Sequence, residues 1–346
     1  MNKKTTTAAA AALLISAAAF ADGFSVNGYV RAGLASTFES TPVLSTAKWY
    51  SGTYFSGDST GTRGRINTAW DGKSDTGNSY GAFFRLQSDG SVENWTNLSV
   101  TSIKYADVYS GLFGNMVTVA AGKIKDNWIA TSGFQGFSVL DGKSGAAVIL
   151  APFAGLNLVG GAVIDYSSSM NGNTFLGGIR YKNDMVNISA AFAGYGVFTG
   201  NLAYTGTKNL LVVVETKVDT DHGLNDILKD QRMYSTEQVQ YTGVENWTFG
   251  VYAKEWYNSA KISGDNDFTI ALTPAAAYQL NSFAKLSAEG TYNMPVYDGA
   301  KDAYMTIVPA VTLSSDKAAS VYIWGSISTD QDQEKSCAGI GVKRDF

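Results

Sequence analysis

The chain has 346 residues and 37 glycines; 45% of it is hydrophobic, 16% is charged, and the formal net charge is −4 at pH 7. A mildly acidic chain without a basic block gives no reason to expect nucleic acid as a partner. The single cysteine, Cys337, excludes an intrachain disulfide framework, and no run of about 18 apolar residues follows the first 21, so no transmembrane helix is expected.

The first 21 residues have the layout of an export signal. Lys3 and Lys4 form a short basic region, residues 8–20 are apolar apart from Ser16, and Ala19 and Ala21 supply the small residues of a cleavage site. The apolar stretch is too short to span a bilayer, which takes about 20 residues. We therefore expect a signal peptide at 1–21 and one mature domain at 22–346; the alternative is a buried N-terminal helix.

From residue 24 onward, the chain breaks into short segments in which apolar and polar residues alternate. In the first segment, Val26 and Val30 share one face, and Asn27, Tyr29 and Arg31 share the other. The same alternation recurs over residues 185–193, 246–254, 283–293 and 320–327. Because successive side chains of a strand point to opposite faces, each segment predicts a β-strand with one apolar and one polar face.

The connections between these strands alternate in length. Tight turns are expected at 113–115, 153–154, 182–184, 207–209, 244–245, 280–282 and 314–317, and long loops at 39–62, 88–101, 124–143, 217–232, 258–267 and 294–302. This layout predicts an all-β, antiparallel transmembrane β-barrel of about 16–18 strands with its turns on the periplasmic side. Pro274 and Pro309 fall inside proposed strands, which predicts a bulge or a misplaced boundary at each.

A soluble β-sandwich would show the same alternation, with its apolar faces forming a core. Three features favour a membrane barrel instead. The export signal is one, and a final strand that closes on Phe346 is another. The third is a set of aromatic residues near strand ends, where such rings rest at the membrane interface: Tyr80, Tyr105, Tyr109, Tyr181, Tyr195, Trp247 and Tyr257.

Two stretches resemble bacterial outer-membrane porins. Residues 104–125, KYADVYSGLFGNMVTVAAGKIK, resemble the porin hairpin that precedes an inward-folded third loop. Residues 26–33 resemble the first strand of maltoporin-type sugar porins, and the last strand resembles the C-terminal signal of outer-membrane proteins except at Arg344. The resemblance implies a homotrimer in the bacterial outer membrane, as either a general diffusion porin or a maltoporin-like sugar porin.

The same resemblance implies that residues 124–143 fold into the barrel and narrow it. This segment would bring Lys125, Asp126 and Asp141 into the bore. An ordinary surface loop is the alternative. On lumen-facing strand positions lie Arg31, Arg63, Arg65, Arg85 and Arg180. Opposed basic and acidic walls would orient polar solutes; otherwise the arginines only hold the lumen together through ion pairs.

Four aromatic side chains also face the lumen by strand parity: Tyr29, Tyr252, Tyr322 and Trp324. They are interpreted either as an apolar track for sugar rings or as packing inside the barrel. Metal ligation by cysteine or histidine clusters is excluded by their number. His222, the only histidine, lies in an acidic loop and is not expected to be catalytic.

The sequence therefore predicts a porin, a water-filled channel for passive diffusion of small hydrophilic solutes such as ions and sugars. Its expected partners are outer-membrane lipid and those solutes, without an enzymatic activity, a cofactor or a metal. The alternative function is a surface adhesin or structural barrel with a plugged pore, because the loop at 39–62 carries Trp49, Tyr50, Tyr54 and Phe55.

Overall fold

Antiparallel strands that follow one another along the chain close into a single barrel. The computed structural model describes residues 23–38, 44–45, 62–90, 101–124, 139, 144–164, 173–194, 196–220, 231–258, 267–296, 302–315, 318–332 and 335–346. Its strands are β1 (Phe24–Thr37), β2 (Leu44–Ser45), β3 (Thr62–Lys73), β4 (Ser79–Gly90), β5 (Thr101–Leu112), β6 (Val117–Lys123), β7 (Ser144–Leu150), β8 (Leu156–Ile164), β9 (Asn173–Lys182), β10 (Val186–Ala193), β11 (Val197–Tyr204), β12 (Leu210–Thr220), β13 (Gln231–Tyr241), β14 (Trp247–Asn258), β15 (Asp267–Gln279), β16 (Ala284–Pro295), β17 (Tyr304–Ser314), β18 (Ala319–Ser328) and β19 (Cys337–Asp345).

The barrel closes through β1, which pairs with β3 along one edge and with β19 along the other. The β1–β19 register runs from Tyr29 opposite Asp345 to Thr37 opposite Cys337. The two-residue β2 pairs only with Ala35 and Ser36 of β1 and is not a wall strand. Within the described residues the wall thus has 18 strands, which confirms the predicted all-β antiparallel barrel at the upper end of the expected range.

Short turns join the strands at one end of the barrel, which we call the turn end. The seven predicted turns fall between strands at this end, with residues 316 and 317 of the last turn outside the described residues. The sequence missed an eighth turn at 74–78, between β3 and β4. Most residues of the connections at the opposite end, the loop end, lie outside the described residues. One loop-end connection is unexpectedly short, because only residues 194–196 separate β10 from β11. Another was predicted too long, since β12 extends to Thr220.

The two faces of the wall differ as the alternation predicts. On the outside, Val30, Ile188 and Val251 are 55%, 47% and 46% exposed, within a continuous belt of exposed apolar side chains. Their inward neighbours Asn187 and Ser189 are buried. An apolar outer belt and a polar interior are the arrangement of a barrel surrounded by lipid. No helix in the described part of the chain is long and apolar enough to cross a membrane.

A β-bulge at Lys104 resets the facing of β5. Arg85 pairs with Tyr105 and the next residue, Leu86, pairs with Ile103, so Lys104 is the extra residue. Asp107, which shares sequence parity with Ile103, therefore faces inward and is 5% exposed, whereas Ile103 faces outward and is 46% exposed. The ring of Tyr105 and that of Tyr109 also face inward, so the expected position of these two aromatics at the membrane interface is wrong.

The two prolines inside strands cause neither a bulge nor a boundary. Pro274 pairs with Val251 of β14, and Pro309 pairs with Ala288 of β16. On the other side of each proline the ladder is interrupted, and the register is the same before and after the interruption. Proline lacks one backbone donor, so each strand loses pairing on one side only.

Candidate functional site

Five cations form one surface on the inner face of the barrel, which we call the basic wall: Arg31, Arg63, Arg65, Arg85 and Lys343. They come from β19, β1, β3 and β4, which are adjacent in the sheet. Arg31 stands opposite Lys343 on one side and opposite Arg63 on the other. The sequence did not single out Lys343, although its parity opposite Ile340 and Val342 placed it on the polar face of the last strand.

The aromatic ring of Tyr29 lies at the centre of the basic wall. The Arg65 guanidinium carbon is 5.2 Å from its centroid, the Lys343 Nζ is 5.1 Å away, and the Arg31 guanidinium carbon is 5.9 Å away. The Arg85 guanidinium similarly lies 5.0 Å from the centroid of Tyr105. Cations over an aromatic face are attracted by its quadrupole, so these two rings hold like charges near one another.

Neutral side chains fix the guanidinium groups in place. Arg65 donates from Nε and Nη2 to Oε1 of Gln87, at 3.0 and 2.7 Å. Arg85 donates from Nε to Oδ1 of Asn67 at 2.6 Å, and Asn67 in turn donates to Asn27 at 2.8 Å. Because amide oxygens accept hydrogen bonds without carrying a charge, these contacts orient the cations without neutralising them.

Carboxylates of the inner face lie close to parts of this surface. Lys343 forms an ion pair with Asp345 at 2.9 Å. Asp107 is buried on the same face, and Asp71 accepts a 2.6 Å hydrogen bond from the hydroxyl of Tyr109. These three carboxylates offset part of the charge of the five cations that form the basic wall.

Arg180 does not belong to the basic wall. It lies on the inner face of β9, which six strands separate from β1. Its Nε donates to Oδ1 of Asn187 at 3.0 Å. The structure therefore brings four of the five predicted arginines together and places the fifth on another part of the inner surface.

The four predicted lumen aromatics face inward but have different surroundings. Tyr29 packs with the cations, and Tyr322 borders a polar cavity at the turn end. Tyr252 is 5% exposed, and Trp324 is 3% exposed, beside Ala35, Ala310 and Cys337. Buried rings offer little surface to a passing solute, so Tyr252 and Trp324 fit the packing interpretation better than the sugar track.

An apolar cluster lies on the inner face of β6 to β11, in contrast to the basic wall. Its cluster contains Ala147, Ile149, Val163 and Leu176, together with Ile124 and Val139 from the connection between β6 and β7. Ile124 is 1% exposed and Val139 is 0% exposed. Both residues are thus seated against the inside of the barrel. Lys125, Asp126 and Asp141, predicted to line the bore, lie outside the described residues.

The remaining predicted features fall on other parts of the chain. His222, the signal segment 1–21 and the aromatic residues of the 39–62 loop lie outside the described residues. Among the residues that the structure does describe, no group of three or more His, Cys, Asp and Glu side chains is close enough together to hold a metal ion.

The fold is similar to that of solved porins. A triple variant of Rh. blastica porin matches with a TM-score of 0.50 and 18% identity, over 93% of this chain and 100% of that chain. A further variant of the Rhodopseudomonas blastica porin matches over the same shares with a TM-score of 0.49 and 18% identity. At this identity the likeness concerns the fold alone. No protein-family model matches the chain, and no curated protein matches it.

Proposed function

We propose that the chain is an outer-membrane porin, forming a water-filled channel for passive diffusion of small hydrophilic solutes. The observation that supports this most directly is the pairing of an apolar outer belt with a polar, cation-bearing inner face in one closed barrel. Such a barrel needs no catalytic group, because a polar bore and its charges decide what passes. We accordingly assign it no enzymatic activity.

The two unlike sides of the interior define how the channel selects solutes. The basic wall attracts anions, while Ile124 and Val139 pack in the apolar cluster on the inner face of β6 to β11. We infer that the segment these two residues anchor narrows the bore opposite the basic wall, with Lys125, Asp126 and Asp141 contributing its charges. Among the porin types, these features favour a general diffusion pore with an anion preference over a sugar-selective one.

Reconstitution into planar bilayers tests the channel. The purified chain should give stepwise, ohmic conductance, and its absence would exclude a diffusion pore. Maltooligosaccharide should leave the conductance of a general pore unchanged and should block a sugar-selective one. Mass spectrometry should find Asp22 at the mature N-terminus, and an unboiled gel band larger than the boiled one is expected for the proposed homotrimer in the bacterial outer membrane.

The alternative is an adhesin or a structural barrel with a plugged pore. The basic wall argues against it, because several like charges gathered on the inner face favour a water-filled bore over a dry plug, in which burying them would be costly. Deleting residues 46–61 distinguishes the two functions. If the chain is a porin, the deletion variant keeps its conductance and its attachment is unchanged. If it is an adhesin, the deletion variant loses attachment to host or surface ligands, whether or not it conducts.

A further inference from the structure

A polar cavity of about 620 Å³ lies at the turn end of the barrel, beside the basic wall. Its lining includes Lys285 of β16, Thr312 of β17, Ser320 and Tyr322 of β18, and Lys343 of β19. These side chains occupy inward positions of four adjacent strands. A volume of this size is within the range that holds small molecules in proteins.

The strand register places the two lysines at opposite edges of the cavity. Lys285 stands opposite Thr312, and Thr312 stands opposite Tyr322. On the far side, Ser320 stands opposite Lys343. Neighbouring strands are about 4.8 Å apart, so the backbones of β16 and β19 are about 14 Å apart. A molecule between them is within reach of both long side chains and rests on a floor of hydroxyl groups.

The charges around the cavity favour an anion. Asp345 pairs with Lys343, and Glu289 interacts electrostatically with Lys285. Arg31 and Arg65 do not line the cavity; they add positive charge beyond Lys343, around the ring of Tyr29. Among the described residues that line the cavity, two are lysines, Lys285 and Lys343, and one is a carboxylate, Asp345. Lysine offers three hydrogen-bond donors and each hydroxyl offers one, a combination suited to an oxyanion that also carries hydroxyls.

We propose that this cavity is a binding site for small hydroxylated oxyanions of the sugar phosphate class. Its ligand is a solute in transit, so the inference rests on the proposed function. The lysines hold the phosphate from two sides, and Thr312, Ser320 and the Tyr322 hydroxyl hydrogen-bond its oxygens and the sugar. The site lies at the mouth of the bore, where it retains an anion that the basic wall has attracted.

Calorimetric titration of the purified full chain in detergent tests this site, with glucose 6-phosphate as the probe and glucose as the uncharged comparison. Glucose 6-phosphate should bind and glucose should not. Lys285→Gln and Lys343→Gln should each weaken binding about tenfold, the usual effect of losing a hydrogen bond to a charged group. The matched control is Lys254→Gln, since Lys254 is an exposed cation on the inner face of β14, away from the cavity.

Further controls distinguish a loss of binding from misfolding of the barrel and from a loss of conductance. The double variant Lys285→Arg with Lys343→Arg retains both charges and should retain binding, while heat-modifiable migration on gels reports an intact barrel for every variant. The proposal is overturned if Lys285→Gln and Lys343→Gln bind glucose 6-phosphate as tightly as the unsubstituted chain. It is also overturned if Lys254→Gln weakens binding as much as they do. A chain that binds the probe but conducts no current contradicts the porin function instead, so the two failures differ.

Discussion

The Nζ atom of Lys343 lies 5.1 Å from the centroid of the Tyr29 ring, across the seam at which the last and first strands of the barrel pair. The same ring is shared by Arg65 and Arg31, so one aromatic side chain stabilises three cations of the basic wall. The shared ring therefore lets three like charges lie close together at the closing seam of the barrel.

Replacing the shared ring should destabilise the barrel. Tyr29→Leu removes the aromatic face from three cations, and we expect the free energy of unfolding to fall by about 1–2 kcal/mol. Tyr29→Phe keeps the face and should change it by less than about 0.5 kcal/mol. Urea unfolding of the barrel in lipid vesicles measures both. Equal losses in the two variants would show that the hydroxyl, not the ring, carries the effect.

Neutralising the basic wall should reduce anion preference. In Arg65→Gln with Arg85→Gln, two oriented charges are lost from the inner face, and we expect the anion-to-cation permeability ratio to fall by about twofold or more. Reversal potentials across a KCl gradient give this ratio. Arg180→Gln is the matched control, because six strands separate the strand of Arg180 from β1 and its replacement should have a smaller effect.

Substituting Gly122, near the end of β6, should destabilise the barrel. Gly122 has a φ of 119°, and a Cβ there would lie 2.2 Å from the backbone oxygen of Ala106. Gly122→Ala is expected to cost about 1–3 kcal/mol of unfolding free energy because the backbone conformation is strained for other residues.

The glycine control for this experiment is Gly200 on β11. A Cβ at Gly200 would meet no atom within 4 Å, so Gly200→Ala should change stability by less than about 0.5 kcal/mol. Urea unfolding of the two variants in lipid vesicles, run in parallel, gives the free energies of unfolding to be compared. If Gly122→Ala left the free energy of unfolding unchanged, the backbone at residue 122 would accommodate alanine without strain.

Two exposed positions on one strand should differ in their access to water. Val251 faces outward and Lys254 faces inward on β14. In native membranes, Lys254→Cys should react with a membrane-impermeant maleimide, and Val251→Cys should not, because lipid covers the outer belt. The native Cys337 is buried, and its labelling in the unsubstituted chain gives the background rate of maleimide reaction. Rapid labelling of both positions would indicate a water-soluble sheet.

Much of this fold follows from local patterns. The alternation around Val26 and Val30, and again around Trp247 and Val251, sets which side chains face outward once a barrel forms. Asn and Gly residues with positive φ, such as Asn209 and Asn246, mark several of the turns. The turn at 74–78 was not predicted, although Arg63, Arg65 and Asn67 alternate with Gly64 and Ile66 in the strand before it.

The side of the sheet to which a residue points is harder to predict where a strand contains an irregularity. The sequence around Lys104 places Ile103 and Asp107 on one parity, and only the pairing of β4 with β5 shows that the parity changes between them. A bulge is decided by the partner strand and not by the residues that form it. The prolines show the reverse, since their missing donors suggested bulges that the neighbouring strands do not require.

By itself, the sequence determined the class of the fold, the polar and apolar faces of the regular strands, and the inward position of the arginines, because these depend on a period of two residues. The tertiary structure decided which cations meet. Lys343 and Tyr29 lie near opposite ends of the chain and become neighbours only when β19 pairs with β1. The cavity between Lys285 and Lys343 likewise exists only across four strands, whose register no single segment encodes.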